Sequence, residues 1–599
     1  MQPWRSSSNR LAASPKFGAC EARGIDEGSW PQPQCRSTPS GCSVLRYSIV
    51  TALFALPLLA LLPFASANGQ VATARLHGTV KAATGAAAGG AKVLIRRVED
   101  HLDQTVSTSP DGSFAIASLP PGHYQVTASQ EGFASSSIAE VELAPAEARD
   151  LDLTLGLAIQ AGGFLKRLFR AYKDDWSGTA SSGAAPPSRL PPSPLPSPPF
   201  PSSDWSYGGA PDIGSPDTNV PPLMEALYGG PNGKAWEDSH VKVYGWLEGS
   251  LNFSTSHLSN LPTAYDIFPN RVEFDQAVLY IERLPDSVQT DHVDWGFHIS
   301  GLYGTSYRFT SNKGYFSQQL LDHDRQYGFD PVLEYFDLYI PQVAGGLNIR
   351  AGRFISVPGI EAQLAPNNYM YTHSLLYSID PFTDTGVIGT MKISDCWLVQ
   401  LGLTGGHDVA LWTPDARPSV TACLSYTFDK GNDNLYPCIN GLNGGEYAYN
   451  NLQMFDTTWY HKFNATWHMA TEAWYMYERD VPNVDGAIPL EKGANGAFCP
   501  TGQVRCFAPE WAAVNYVEKQ LSGKDYLSFR TDTLNDERGQ RTGYKTQYAE
   551  GSLMWGHYVG STILLRPELR FDHSFQLAAY DRGTRKSQFQ FALDVIFKY

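Results

Sequence analysis

The sequence predicts an all-β protein: a 16-stranded antiparallel transmembrane β-barrel preceded by a small N-terminal β-sandwich. Three observations carry that prediction. The stretch 588–599 alternates strictly, with Phe589, Phe591, Leu593, Val595, Phe597 and Tyr599 on one parity and Gln588, Gln590, Ala592, Asp594, Ile596 and Lys598 on the other. Period two marks a strand with one apolar and one polar face, and such a run is long enough to cross a bilayer when tilted. Similar runs recur from about residue 241 onward, joined by connections that alternate short and long, as a membrane barrel requires. Finally, aromatic residues make up 12% of the chain, with 31 Tyr and 14 Trp, although mean hydropathy is negative. A helical membrane protein does not combine these; a barrel with aromatic girdles does.

At 599 residues the chain exceeds one ordinary domain. Its net charge of -15 argues against nucleic acid as a partner. The one continuous apolar run, 49–64, follows Arg46 and precedes Ala65-Ser66-Ala67. That is the layout of a secretory signal cut after Ala67, so 1–67 is read as leader and signal peptide and the mature chain is expected to begin at Asn68. The polar stretch before it, with Cys20, Cys35 and Cys42, suggests a true start near Val44 or Leu45; an unusually long leader is the alternative. The final strand ends on an aromatic residue, which is similar to the C-terminal signal of bacterial outer-membrane barrels.

Residues 72–157 read as a β-sandwich of short strands punctuated by Asp-Gly and Pro-Gly turns. The turns "DGSF" at 111–114 and "LPPGHY" at 119–124, the "GF" at 132–133 and the closing strand 151–155 resemble the carboxypeptidase regulatory-like domain, a transthyretin-like sandwich. The resemblance implies a non-catalytic unit related to carbohydrate-binding folds, either a scaffold or a sugar binder. The segment 158–239 holds an amphipathic stretch and a Pro-rich linker. The stretch 164–172 has helical apolar spacing and a basic face, suited either to the inner leaflet of an outer membrane or to docking between domains. The stretch 184–203 is a semi-rigid extended spacer.

The barrel is expected over 240–599, with strands near 241–254, 272–284, 293–309, 332–342, 346–356, 385–394, 397–407, 418–428, 434–441, 451–463, 466–479, 511–521, 525–534, 546–558, 561–573 and 587–599. In the third, Tyr307 and Phe309 are expected on the outer parity. Pro567 falls on the outer parity of the fifteenth and implies a local bulge. Inward parity carries both signs: Asp294, Glu472, Glu550, Glu568 and Asp594 against Arg308, Lys462, Arg530, Arg566 and Arg570. A water-filled lumen fits this strand number.

Five cysteines follow the cleavage site. A hairpin turning at Lys430-Gly431 opposes Cys423 to Cys438, within disulfide range. Cys499 and Cys506 are expected to close a small loop, leaving Cys396 as the odd thiol. For chemistry, Asp322-His323-Asp324, Asp380 with Asp384, and Asp429 with Asp433 lack the ligand count of a metal loop. His298, Ser300, Glu472 and Ser552 share the inner parity without any sign that they meet. No catalytic, metal or cofactor residue is therefore assigned, and the chain is not read as an enzyme.

The stretches "HVKVYGWLEGSLNFSTS", "EAQLAPNNYMYTHS", "RTDTLNDERGQRTGY" and "LRPELRFDHSF" are spread across the barrel and resemble the OmpL-like β-barrel porins. That resemblance implies an outer-membrane porin and no settled substrate. The lumen expected of sixteen strands suits passive diffusion of small hydrophilic solutes, and the even strand count puts the sandwich in the periplasm; the expected partners are outer-membrane lipid around the barrel and, as one option, a second copy in a homo-oligomer. The competing reading is a barrel-anchored protein that binds carbohydrate or a partner through the sandwich. The loop 357–384 is expected to fold inward and narrow the pore. It holds Ile360, Leu364, Tyr369, Met370, Tyr371, Leu375, Leu376, Tyr377 and Phe382, too many large apolar groups for open water. Glu361, Asn367, Asn368, His373 and Asp380 are then expected to face solute, opposite Arg350, Arg353, Arg530, Arg566 and Arg570. Capping of a neighbouring subunit by this loop is the alternative.

Overall fold

The computed structural model describes residues 73–82, 87–98, 103–130, 133, 136–155, 163–178, 189, 213–217, 219–357 and 359–599. The signal segment, the expected mature start and most of the Pro-rich linker lie outside them.

Eight strands build the sandwich: β1 (Ala74–Ala82), β2 (Lys92–Arg97), β3 (Asp103–Ser107), β4 (Ser113–Leu119), β5 (Gly122–Ser129), β6 (Ser136–Leu143), β7 (Ala148–Asp150) and β8 (Leu153–Leu155). One sheet runs β4-β1-β7 with β8 also on β1; the other runs β3-β2-β5-β6. Leu76, Val80, Val93, Ile95, Phe114, Tyr124, Val126 and Leu153 fill the space between them. The "DGSF" turn closes on itself: Asp111 Oδ1 accepts from the Ser113 amide at 3.1 Å and hydroxyl at 2.7 Å, with Gly112 at φ +80°. The bonds from Ser113 hold the Asp111 carboxyl below its ordinary range. In "LPPGHY" the Tyr124 hydroxyl donates to the Pro120 carbonyl at 2.5 Å.

Among the described residues three helices precede the barrel: α1 (Phe164–Ser177), α2 (Pro222–Tyr228) and α3 (Gly233–Ser239). The amphipathic stretch is thus a helix, longer than the sequence suggested, and it docks on the barrel. Asp175 accepts from the Ser561 amide and the Thr562 hydroxyl, both at 2.7 Å, and Trp176 Nε1 donates to the same hydroxyl at 2.9 Å. Gly560 makes this possible: its φ is +63°, and a Cβ there would meet Asp175 Oδ2 at 2.1 Å. Arg189, from the linker, donates to the Ser287 carbonyl and the Tyr339 hydroxyl, both at 2.6 Å.

The barrel closes through sixteen antiparallel strands: β9 (Lys242–Ser254), β10 (Val272–Arg283), β11 (Asp294–Gly304), β12 (Gly328–Ile340), β13 (Leu347–Ile355), β14 (Thr383–Lys392), β15 (Trp397–His407), β16 (Ser419–Phe428), β17 (Asp433–Leu442), β18 (Gln453–Asn464), β19 (Trp467–Pro482), β20 (Arg505–Gln520), β21 (Asp525–Asp536), β22 (Thr546–Val559), β23 (Ile563–Ser574) and β24 (Ser587–Lys598), with β24 paired to β9. Each predicted strand has its counterpart. The alternation holds in three dimensions: Leu553, Leu569 and Phe589 lie exposed on the outer face, while Arg530, Arg566, Arg570 and Asp594 lie buried inside. Trp295, Trp397, Trp459, Trp467 and Trp555 ring the outer face near the short-turn end; Phe253, Tyr303, Phe329, Tyr475, Phe571 and Phe589 do so near the other. These are the two girdles of a membrane barrel.

Several expectations need correction. Strand β11 stops at Gly304, whose φ of +152° turns the chain inward; a Cβ there would meet the Asp275 carbonyl at 1.9 Å. Tyr307 and Phe309 are therefore not on the outer wall: Tyr307 is fully buried and its hydroxyl donates to the Arg325 carbonyl at 2.5 Å. Pro567 makes no bulge. Its pairing with Leu593 keeps register, and the proline only interrupts the ladder to β22. Strands β19 and β20 reach further than their apolar parity showed, which leaves the loop 356–382 as the longest connection. Cys423 pairs with Cys438 and Cys499 with Cys506, the first across directly opposed positions of β16 and β17. Cys396, in the turn 393–396, is not the free thiol the odd count suggested.

Candidate functional site: a loop threaded through the barrel

The loop 356–382, between β13 and β14, runs inside the barrel and reaches the strands on the far side. The nine large apolar residues singled out in its sequence are all buried, as are Val357 and Ile379. This position removes them from water.

The far wall takes hold of the loop chiefly by its main chain. Arg566 donates to the carbonyls of Ala365 at 3.0 Å and Asn368 at 2.8 Å. Arg530 donates to the carbonyl of Thr372 at 2.5 Å, and Arg570 to that of His373 at 2.5 Å. The Tyr526 hydroxyl donates to the Tyr369 carbonyl at 2.8 Å. Carboxylates serve the loop's amides: Glu472 accepts from Ile360 at 2.7 Å, Glu568 from Thr372 at 2.9 Å and Asp532 from Leu375 at 2.7 Å. From β10, Gln276 uses both ends of its amide, donating to the Gln363 carbonyl at 2.9 Å and accepting from the Ala365 amide at 3.2 Å. A loop that enters a confined space must satisfy its backbone somewhere, and here the wall supplies the partners.

The arginines keep carboxylate partners as well. Arg530 lies 3.1 Å from Glu550, 3.4 Å from Glu568 and 3.6 Å from Glu361. Arg566 meets Asp594 at 2.5 Å and Arg570 meets Asp572 at 2.8 Å. The register explains the pairing. Across β21, β22 and β23, Asp532, Glu550 and Asp572 stand directly opposite one another, and Arg530, Ser552 and Arg570 form the next inward row. A row of like charges is unfavourable alone; the adjacent basic row offsets it.

The residues expected to face solute are placed differently. Glu361, Asn368, His373 and Asp380 are buried, and only Asn367 keeps partial exposure. Their polar atoms are used in packing. Glu361 accepts from the Ser374 amide at 2.9 Å and from the hydroxyls of Ser374 and Tyr516. Asn368 donates to the Met370 carbonyl at 2.8 Å. His373 bonds to the Ala362 carbonyl at 2.7 Å, with its ring stacked between Tyr265 and Tyr377 at 4.0 and 4.6 Å. Asp380 is the exception: it lies among Glu472, Asp408 and Arg541, and its Oδ1 has no hydrogen-bond partner among the described residues, while Arg541 donates to the Ile379 carbonyl at 2.7 Å. Arg350 and Arg353 do not form the opposing wall. Arg350 pairs with Asp337 at 2.9 Å, and Arg353 pairs with Asp330 at 2.9 Å while donating to the carbonyls of Pro331 and Thr310.

The other candidates remain apart. His298 bonds Glu282 at 2.9 Å and Ser300 the Leu333 amide at 3.1 Å, while Glu472 and Ser552 belong to the loop's wall. Asp322 pairs with Lys492, Asp324 with Arg308, Asp384 with His407 and Asp433 with His461. Tyr516, Tyr526, Gln276 and Asp532 were missed as site residues. Their inner parity was visible, but nothing in sequence said that a loop would reach them.

The family model described as beta-barrel porin-2, OmpL-like, matches residues 240–599. The chain belongs to that family. In this OmpL-like porin the carboxypeptidase regulatory-like model matches 75–156, the sandwich of β1–β8. No curated protein matches the chain. Among solved structures, the outer-membrane channel DcaP of Acinetobacter baumannii aligns at 10% identity and TM-score 0.39, covering 60% of this chain and 97% of that one. The anion-selective porin from Comamonas acidovorans aligns at 9% and 0.39, covering 60% and 99%. Salmonella typhi OmpF, in complex with daunomycin, aligns at 10% and 0.37, covering 60% and 97%.

Proposed function

We propose that this OmpL-like barrel is an outer-membrane pore for passive diffusion of small hydrophilic solutes, with the loop 356–382 as its constriction and the sandwich on the periplasmic side. The observation that supports it is the loop itself: a closed, polar-lined barrel is crossed by its own longest loop, held by Arg530, Arg566 and Arg570. One observation favours a second reading. Burial of Glu361, Asn368, His373 and Asp380 means the loop packs more tightly than a simple rim, as suits a barrel that only anchors the sandwich for carbohydrate or partner binding. Deleting 364–380 separates them. For a pore, single-channel conductance of the reconstituted protein rises and larger sugars enter liposomes. Intact protein that conducts nothing in any salt would leave the anchoring reading.

A further inference from the structure

Helix α1 docks with one face and leaves another bare. Ala171 is buried against the protein, and Arg167 donates to the Ala226 carbonyl at 2.8 Å. At 3.6 residues per turn, Leu165, Phe169, Tyr172 and Trp176 fall in a single stripe; Tyr172 is buried on the barrel and Trp176 Nε1 reaches the Thr562 hydroxyl, so the bare part of the stripe is chiefly its Leu165–Phe169 end. Leu165 is 65% exposed, Phe169 73% and Trp176 44%. The stripe continues onto the barrel, because the Tyr172 ring stacks on Phe597 at 5.2 Å. Phe597 shares the outward parity of Phe589 and Val595 on β24 and lies at the short-turn end, where Trp295, Trp397 and Trp555 form a girdle. Beside the stripe stand Lys166, Arg170 and Lys173, all exposed. An apolar stripe flanked by cations, level with an aromatic girdle, is the pattern of a helix lying in a membrane interface.

We propose that α1 is an interfacial helix. Its Leu165–Phe169–Trp176 stripe rests in the leaflet facing the short-turn end, and Lys166, Arg170 and Lys173 bind the phosphates of anionic phospholipids. The proposal rests on the barrel spanning a membrane, and not on its conducting solute. It identifies one occupant for the stripe: lipid continuous with the lipid around β24.

The full chain, carrying p-benzoylphenylalanine in place of Phe169, is reconstituted into vesicles of phosphatidylethanolamine and phosphatidylglycerol and irradiated. Lipid adducts are expected, enriched in phosphatidylglycerol. Lys166→Gln, Arg170→Gln and Lys173→Gln should each lower that enrichment by up to about 5-fold, the equivalent of about 1 kcal/mol per basic residue near an anionic surface. The same probe at Phe589 must give lipid adducts; if it does not, the membrane reading of the barrel fails instead. A heat-shift on gels confirms the folded barrel, and Leu165 takes the probe if the Phe169 variant does not fold. Adducts to sandwich peptides, a cross-linked pair of chains, or no adduct at position 169 would each overturn the proposal.

Discussion

In the sandwich, β1 and β2 turn Leu76, Val80, Val93 and Ile95 away from water. In the barrel, β21 and β23 turn Arg530, Arg566 and Arg570 inward, and Phe529, Leu569 and Phe571 face out. Both use period-two strands, with the apolar side pointing in opposite directions. The sandwich coheres because apolar area leaves water, a non-directional force. The barrel interior also buries apolar groups, Leu364, Met370, Leu376 and Trp474 among them, but adds charge pairs and bonds to a backbone, which work only in one geometry. Removing one partner there strands the others in a buried site, whereas trimming a leucine leaves a cavity.

That difference is open to experiment. Arg530→Met is expected to have the largest effect, because Glu361, Glu550 and Glu568 lose their shared cation. Breaking a buried pair costs about 3–5 kcal/mol, so the midpoint of barrel unfolding in urea should fall while amide exchange in 74–155 stays unchanged. If methionine stabilises the barrel, its interior is not held by these pairs. Leu76→Ala should destabilise the sandwich by about 2–4 kcal/mol, seen as faster exchange across 74–155 with no change in the barrel's heat-shift. A joint loss of both would show that the two units unfold together.

The smallest effect concerns pH. Hydrogen bonds from Ser113 hold Asp111 below its ordinary value, and those from Thr79 do the same for Asp152. A carboxylate whose folded value is depressed stabilises fully above its unfolded value, and loses that contribution as pH falls through the folded value. The contribution of these two carboxylates to the sandwich should therefore be lost only below the ordinary aspartate value, about 3.8. Asp111→Asn, whose amide oxygen still accepts from Ser113, should flatten that acid limb in exchange measurements. An unchanged limb would show that Asp111 contributes nothing to it.

Much of this was legible in the sequence, and the limits have physical causes. Parity assigns each strand residue to a face, so all sixteen strands and the Cys423–Cys438 pairing could be read. Parity fails where the chain leaves the ladder, as at Gly304, so Tyr307 and Phe309 were misplaced. The inward course of 356–382 was readable from nine apolar residues that water would not hold. The roles of its polar residues were not, since composition shows that Glu361 and His373 need partners but not that Tyr516, Ser374 and the Ala362 carbonyl provide them. Gln276 was equally silent, because an uncharged side chain on the inner parity carries no mark of the two loop bonds it makes.

The arginines on β21 and β23 grip Ala365, Asn368, Thr372 and His373 by their carbonyl oxygens. Every amino acid carries that oxygen. Substitution along the loop therefore leaves this part of the grip intact, provided the backbone keeps its course. Architecture and composition are decoupled here: mutation can explore new chemistry on the loop while the arginines hold its path, so that divergence among descendants need not begin with loss of the fold.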